Sequence, residues 1–128
     1  MTVERVRRWF ERIPEIERDV PIILINGRVY TPREVKSEVE RGTTLGRRMQ
    51  EELEKTVSHI TQLHKIGKAR ALYWAKGLPE DFSIGSYSIE KPIATKSEII
   101  RMIEQEEEVG ESAVKYEEER AYKLRALF

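Results

Sequence analysis

Between Lys55 and Lys76 the chain reads KTVSHITQLHKIGKARALYWAK, and its hydrophobic period changes at Gly67. Before that glycine, Val57, Ile60, Leu63 and Ile66 recur at helical spacing. After it, Arg70, Leu72 and Trp74 alternate with Ala71, Tyr73 and Ala75, a period of two. Two backbones compete for 44–76. One is a single helix of about thirty residues, ~45 Å long, and the strong helix formers of MQEELEK (49–55) support it. The other ends a short helix near Gln50, runs a second from Thr56 to Ile66, caps it at Gly67 and continues as a strand over 68–76. The β-branched Thr56, Val57, Ile60 and Thr61 disfavour helix by a few tenths of a kcal/mol each, and a mid-helix Gly67 costs ~1 kcal/mol relative to Ala. Two consecutive aromatics also suit a strand. The second backbone is the expected one.

The flanks carry clearer punctuation. Residues 3–13 place Val3, Val6, Phe10 and Ile13 on one stripe, an amphipathic helix ended by Pro14. IILINGRVY (22–30) is two short apolar runs about Asn26-Gly27, a pair that tolerates the positive φ of a type I′ hairpin turn. TPRE (31–34) is a capping box with proline at the first helical position, and Gly42 closes the helix it starts. Thr43 or Thr44 caps the next. FSIGSYSI (82–89) fits a hairpin turning at Gly85-Ser86. TKSE (95–98) is a second capping box, opening a helix that carries Ile99, Ile100, Met102 and Ile103 and runs past Gly110 to Leu124 and Leu127. The likeness between TPREVKSEV and TKSEIIRMI has the look of a repeat, but shared capping chemistry accounts for it more cheaply.

Composition bounds the class. The 128 residues, 39% hydrophobic, supply one modest core, and 36% are charged against a usual ~25%. The wealth of Lys, Arg and Glu, with Asn26 the only asparagine, resembles a thermophile's composition. The absence of cysteine excludes disulfides and thiolate zinc sites and fits a cytoplasmic setting. No apolar run approaches a membrane span, and the charged N-terminus does not read as a signal peptide. The formal net charge is zero, but its distribution is uneven. No acid occurs from Lys55 to Pro79, and Glu104 to Glu119 holds eight glutamates against Lys115 alone. Either the two stretches neutralise each other across an interface, or the first faces phosphate and the second water.

The run TVSHITQLHKIGKARALYW resembles the recognition helix and first wing strand of winged helix-turn-helix DNA-binding domains. The likeness rests on Thr56-Val57-Ser58 and on Leu63 four residues before Gly67, and it extends over roughly 28–90, with VYTPREVKSEVERG as first strand and helix and TTLGRRM as second helix. It implies an α+β winged core over 20–92, an N-terminal helix over 1–14 and a helical arm over 93–128. The alternative is a mainly α bundle with short β-hairpins. On the winged reading Thr56 points its amide end at a phosphate, and Ser58, His59, Thr61, Gln62 and Lys65 face a groove, where Gln bridges adenine N6/N7 and Lys reaches guanine or backbone. Lys68, Arg70 and Lys76 then hold phosphates along the wing. The bland alternative is a solvated polar face.

The same resemblance implies double-stranded DNA as partner and a homodimer whose C-terminal helices meet along Ile99, Ile103, Val114, Ala121 and Leu124; the alternative folds that helix back on its own domain. The acidic 104–119 stretch then faces away from DNA or toward a basic protein. No phosphate loop, dinucleotide fingerprint, nucleophile–base pair or metal cluster is present in the sequence, and His59 and His64, five apart, are poorly spaced for one metal. The expected protein is therefore a non-enzymatic regulator without cofactor or metal that binds duplex DNA. The runner-up is an adaptor acting through helical oligomerisation.

Overall fold

A computed structural model of the chain describes residues 2–55, 62–84 and 94–128. Among these, six helices and two antiparallel strand pairs alternate: α1 (Thr2–Arg12), a single 3-10 turn (Glu15–Glu17), β1 (Ile23–Ile25), β2 (Arg28–Tyr30), α2 (Pro32–Arg41), α3 (Thr44–Glu54), α4 (Leu63–Lys76), β3 (Ser83–Ile84), β4 (Ala94–Thr95), α5 (Lys96–Glu104) and α6 (Glu108–Ala126). The molecule is mainly helical, and no helix of the described residues is long and apolar enough to cross a membrane.

The N-terminal expectations hold in detail. Ile25 pairs with Arg28 across Asn26 (φ 52°) and Gly27 (φ 78°), the two positive dihedrals of a type I′ turn. Thr31 Oγ1 accepts from Glu34 N at 3.2 Å while Glu34 Oε1 accepts from Thr31 N at 2.9 Å, so the capping box is complete. Thr31→Ala is expected to lower stability by about 1 kcal/mol, and Thr31→Ser to leave it nearly unchanged, as read by urea unfolding. Val6, Trp9 and Phe10 of α1 and Ile13 just past it are buried, and the Trp9 indole donates to the Leu124 carbonyl at 2.9 Å, fastening α1 to the end of α6.

From residue 44 onward the structure departs from the expected backbone. α3 runs to Glu54, past Gln50, and leaves helical geometry at Lys55 (ψ 141°), so no single rod spans 44–76. The expected recognition helix over 56–66 is described only from Gln62, and its remaining residues belong to α4. The strand expected over 68–76 is the body of that same helix. Gly67 does not cap anything. It lies where α4 crosses α6, and a methyl group there would sit 2.5 Å from Glu118 Cγ and 2.9 Å from the Val114 carbonyl oxygen. Close helix packing, together with the helix formers Leu63, Ala69, Ala71, Leu72 and Ala75, outweighs the propensity penalty that a lone glycine carries.

Ile84 pairs with Ala94 and Ser83 with Thr95; the turn expected at Gly85-Ser86 lies in residues 85–93, outside those described. One further expectation is corrected. The C-terminal tail is not one helix. α5 stops at Glu104, Glu106 takes a left-handed conformation (φ 53°), and Glu107 N and Glu106 N donate to the carbonyls of Met102 and Ile103, a Schellman stop. α6 then returns beside α5.

The resemblance between the two capping boxes goes beyond capping chemistry. Trp9…Pro14-Glu15 and Trp74…Pro79-Glu80 precede the two strand pairs, and Thr31-x-x-Glu34 and Thr95-x-x-Glu98 open the helix after each. Each half then bends through a left-handed residue, Gly42 (φ 67°) or Glu106, into its last helix. A methyl on Gly46 would meet the Glu38 carbonyl oxygen at 2.4 Å, and one on Gly110 would meet the Met102 carbonyl oxygen at 2.0 Å. The same order of helix, strand pair and tight helical hairpin occurs twice. The apolar interior follows that division. A large cluster is built mainly from α1, β1, α2 and α3 and completed by Ile66, Ala121 and Leu124, and a smaller one joins Ala71, Ala75, Ile103 and Val114.

Candidate nucleic-acid interface

α4 is the centre of the second half, and its sides have distinct chemistry. Ile66, Gly67, Arg70, Ala71 and Ala75 are buried against α5 and α6. With ~100° per residue, the N-cap Gln62 and then Lys65, Ala69, Leu72, Tyr73 and Lys76 fall on the opposite arc. Gln62, Lys65 and Lys76 are exposed and Tyr73 is 42% exposed. Lys65 and Lys76 make no ion pair among the described residues, and they stand about 16 Å apart along the axis at ~1.5 Å per residue. No acid occurs in α4.

The expected DNA-contacting set is thereby divided. Gln62, Lys65 and Lys76 are brought onto one exposed face. Thr56, Ser58, His59 and Thr61 lie outside the described residues. Arg70 is fully buried and reaches no solvent. Its Nε donates to Glu117 Oε1 at 3.1 Å, one terminal nitrogen donates to the Pro21 carbonyl at 3.1 Å, and the other bonds Glu17 Oε2. Glu117 Oε1 also accepts from the Trp74 indole at 3.1 Å, and Arg120 Nε donates to Glu17 Oε1 at 3.3 Å. This group of two arginines and two glutamates is neutral as a whole, and it ties α4 to α6 and to the 3-10 turn. Arg70 is therefore a structural residue and no phosphate contact. Lys68 is likewise committed: its Nζ donates to the Glu104 carbonyl at 2.9 Å and lies 3.6 Å from Glu106 Oε2.

His64, in the first turn of α4, lies between two carboxylates. Nε2 is 2.5 Å from Glu106 Oε1 and Nδ1 is 2.9 Å from Glu118 Oε1. The hydrogen bond to Glu118 and then that to Glu106 raise its pKa above the ordinary imidazole value, with partial desolvation acting against them. The acidic stretch is largely spent on this chain's own cations: Glu106 and Glu118 on His64, Glu117 on Arg70, Glu107 on Arg101 and Glu111 on Lys115. The pairs of Glu106 and Glu118 with His64 and of Glu117 with Arg70 join the two stretches, whereas Arg101 and Lys115 lie outside the acid-free one.

The proposed dimer seam is also used internally. Ile103, Val114, Ala121 and Leu124 are buried within this chain, and Ile99 is half-buried beside them. α6 folds back on its own domain because its apolar side meets the small-residue side of α4. Arg125, buried at the end of α6, fixes α6 to α3 by donating to the Glu52 carbonyl at 2.7 Å, and burial lowers its pKa despite the neighbouring Glu52 carboxylate.

The pairing of Arg70 with Glu17 and Glu117 has one signal in the sequence. Arg70 falls four residues after Ile66, on the apolar side, once 63–76 is read as a helix. The contacts of His64 with Glu106 and Glu118 have none, since the sharp turn at Glu106 creates them. Comparison with protein-family models, with curated proteins and with solved structures yields no match.

Proposed function

We propose that the protein binds duplex DNA through the outer face of α4, as a regulator that carries out no chemistry of its own. The observation that carries this reading is the acid-free arc of Gln62, Lys65, Tyr73 and Lys76, with two lysines free to meet phosphates. In winged-helix terms, α4 takes the part of the recognition helix and the following β3–β4 strands that of the wing, in place of 56–66 and 68–76. Gln62, at the helix start, supplies an amide suited to an adenine edge. Lys65 and Lys76 supply position and affinity.

The test is a titration of labelled duplex DNA at several salt concentrations. Lys65→Ala and Lys76→Ala are each expected to weaken binding and to flatten the slope of log affinity against log salt by about 1, the loss of one released counterion. Lys115→Ala, which removes a lysine already paired with Glu111, should change neither. Wild-type protein without duplex affinity at low salt would overturn the reading.

A second reading, an adaptor acting through protein contacts, is favoured by one feature. Trp74, Leu78, Ile99, Ile103 and Ala113 line an apolar hollow of about 270 Å³ with Tyr116, 67% exposed, beside it. An adaptor shows no duplex affinity and loses its partner when Tyr116 is changed to Ser. The proposed homodimer is read independently, from the solution mass.

A further inference from the structure

The three groups around His64 come from separate parts of the chain. Glu106 is the left-handed residue of the α5–α6 turn, Glu118 lies in the middle of α6, and Lys68 is one turn further along α4. Both ring nitrogens face carboxylate oxygens within hydrogen-bond distance, an arrangement satisfied only when both carry protons. A neutral imidazole has one N–H, so its second nitrogen would present a lone pair to a carboxylate. With His64 protonated, the cluster of His64, Lys68, Glu106 and Glu118 sums to zero charge. Without that proton it is net negative, one residue from Lys65 on the exposed face.

We propose that His64 is a pH-set latch that ties the acidic α5–α6 turn to the first turn of α4 and so sets the charge beside the DNA-binding face. The regulatory half of this inference rests on the DNA-binding reading above; the latch itself does not. The sign follows from the environment. A histidine whose pKa is higher in the folded chain than in the unfolded one adds stability that is fully present below the unfolded value, ~6.5, and is lost as pH rises through the folded value. Phosphate affinity changes in the same direction. Protonation favours the closed, neutral cluster, and deprotonation leaves unneutralised carboxylates near Lys65, which repel the phosphate backbone.

The latch is read by NMR titration of the imidazole nitrogens in the full chain, with His64→Gln assigning the signals against His59. His64 is expected to titrate above ~6.5 with both nitrogens protonated at its acidic end, and to fall toward ~6.5 in Glu118→Gln. Duplex affinity, measured at constant ionic strength, is expected to weaken about two- to fivefold between pH 5.5 and 8.5, the scale of one exposed charge near a phosphate contact. In His64→Gln that dependence should vanish. A His64 midpoint at or below ~6.5 that is unmoved by Glu118→Gln overturns the latch. A raised midpoint with pH-independent affinity overturns its control of DNA binding. A raised midpoint with no duplex affinity at either pH supports the latch and overturns the DNA-binding reading instead.

Discussion

Arg70→Met is expected to destabilise the chain by about 3–5 kcal/mol, the usual consequence of removing one partner from a buried ion pair. At this chain length that corresponds to a fall in Tm of roughly 10–20 °C. The magnitude comes from what remains behind. Arg70 has no exposed surface, and Glu17 and Glu117 are 5% and 7% exposed. Without the guanidinium, Glu117 keeps only the Trp74 indole among the contacts described above, and Glu17 keeps Arg120 at 3.3 Å. The Pro21 carbonyl loses its donor. Methionine fills comparable volume, so a packing defect contributes little. Arg70→Lys should also be strongly destabilising, because a compact ammonium on a shorter side chain cannot reach the three acceptors that the spread nitrogens of the guanidinium meet.

The accompanying variant identifies the cause. Adding Glu17→Gln and Glu117→Gln to Arg70→Met removes the uncompensated charges while keeping their shapes, and most of the lost stability should return in urea unfolding. A single Arg70→Met variant as stable as wild type would mean that the network holds nothing together. A triple variant no better than the single one would place the loss in packing.

The sequence announces those parts of this fold that depend on local chemistry. The Asn26-Gly27 turn, the Thr31 and Thr95 caps, the Gly42 stop and the α1 stripe all follow from residues close together in the chain. What it conceals depends on contacts between distant segments. The alternation after Gly67 has the form of a strand, and local propensity alone makes that glycine a cap. The helix persists because α6 lies against it closely enough that only glycine fits. Likewise Glu106 gives no sign of a chain reversal, since a left-handed glutamate is locally unfavourable and is held there by the hairpin around it. The candidate site divides along the same line. Lys65, Lys76 and Gln62 need only a helix to share a face, and they do. Lys68 and Arg70 sit on the same helix but are claimed by groups some 36 to 53 residues away in sequence, on both sides. No period within the helix marks those partners.

Glycine-to-alanine substitution should therefore have opposite consequences at different positions of one chain. On propensity alone each exchange in a helix is favourable by ~1 kcal/mol. At Gly110 the added methyl would lie 2.0 Å from the Met102 carbonyl oxygen and 2.6 Å from Ile103 N, both backbone atoms that cannot rotate away. Gly110→Ala must part α5 from α6, and a loss of about 3 kcal/mol is expected, at the upper end of overpacking. At Gly67 the nearest atom is the Glu118 side chain, with the Val114 carbonyl oxygen behind it at 2.9 Å, so Gly67→Ala should lose about 1–2 kcal/mol. It should also disturb the His64–Glu118 contact. Gly77, at the end of α4, offers 3.5 Å to its nearest neighbour and an ordinary φ of −81°, so Gly77→Ala should be neutral or gain about 0.5 kcal/mol through the unfolded chain. Urea unfolding of the three variants gives the ranking directly. Equal, small gains at all three sites would mean that α4, α5 and α6 do not approach as closely as described, and that Gly67 and Gly110 are incidental to the fold.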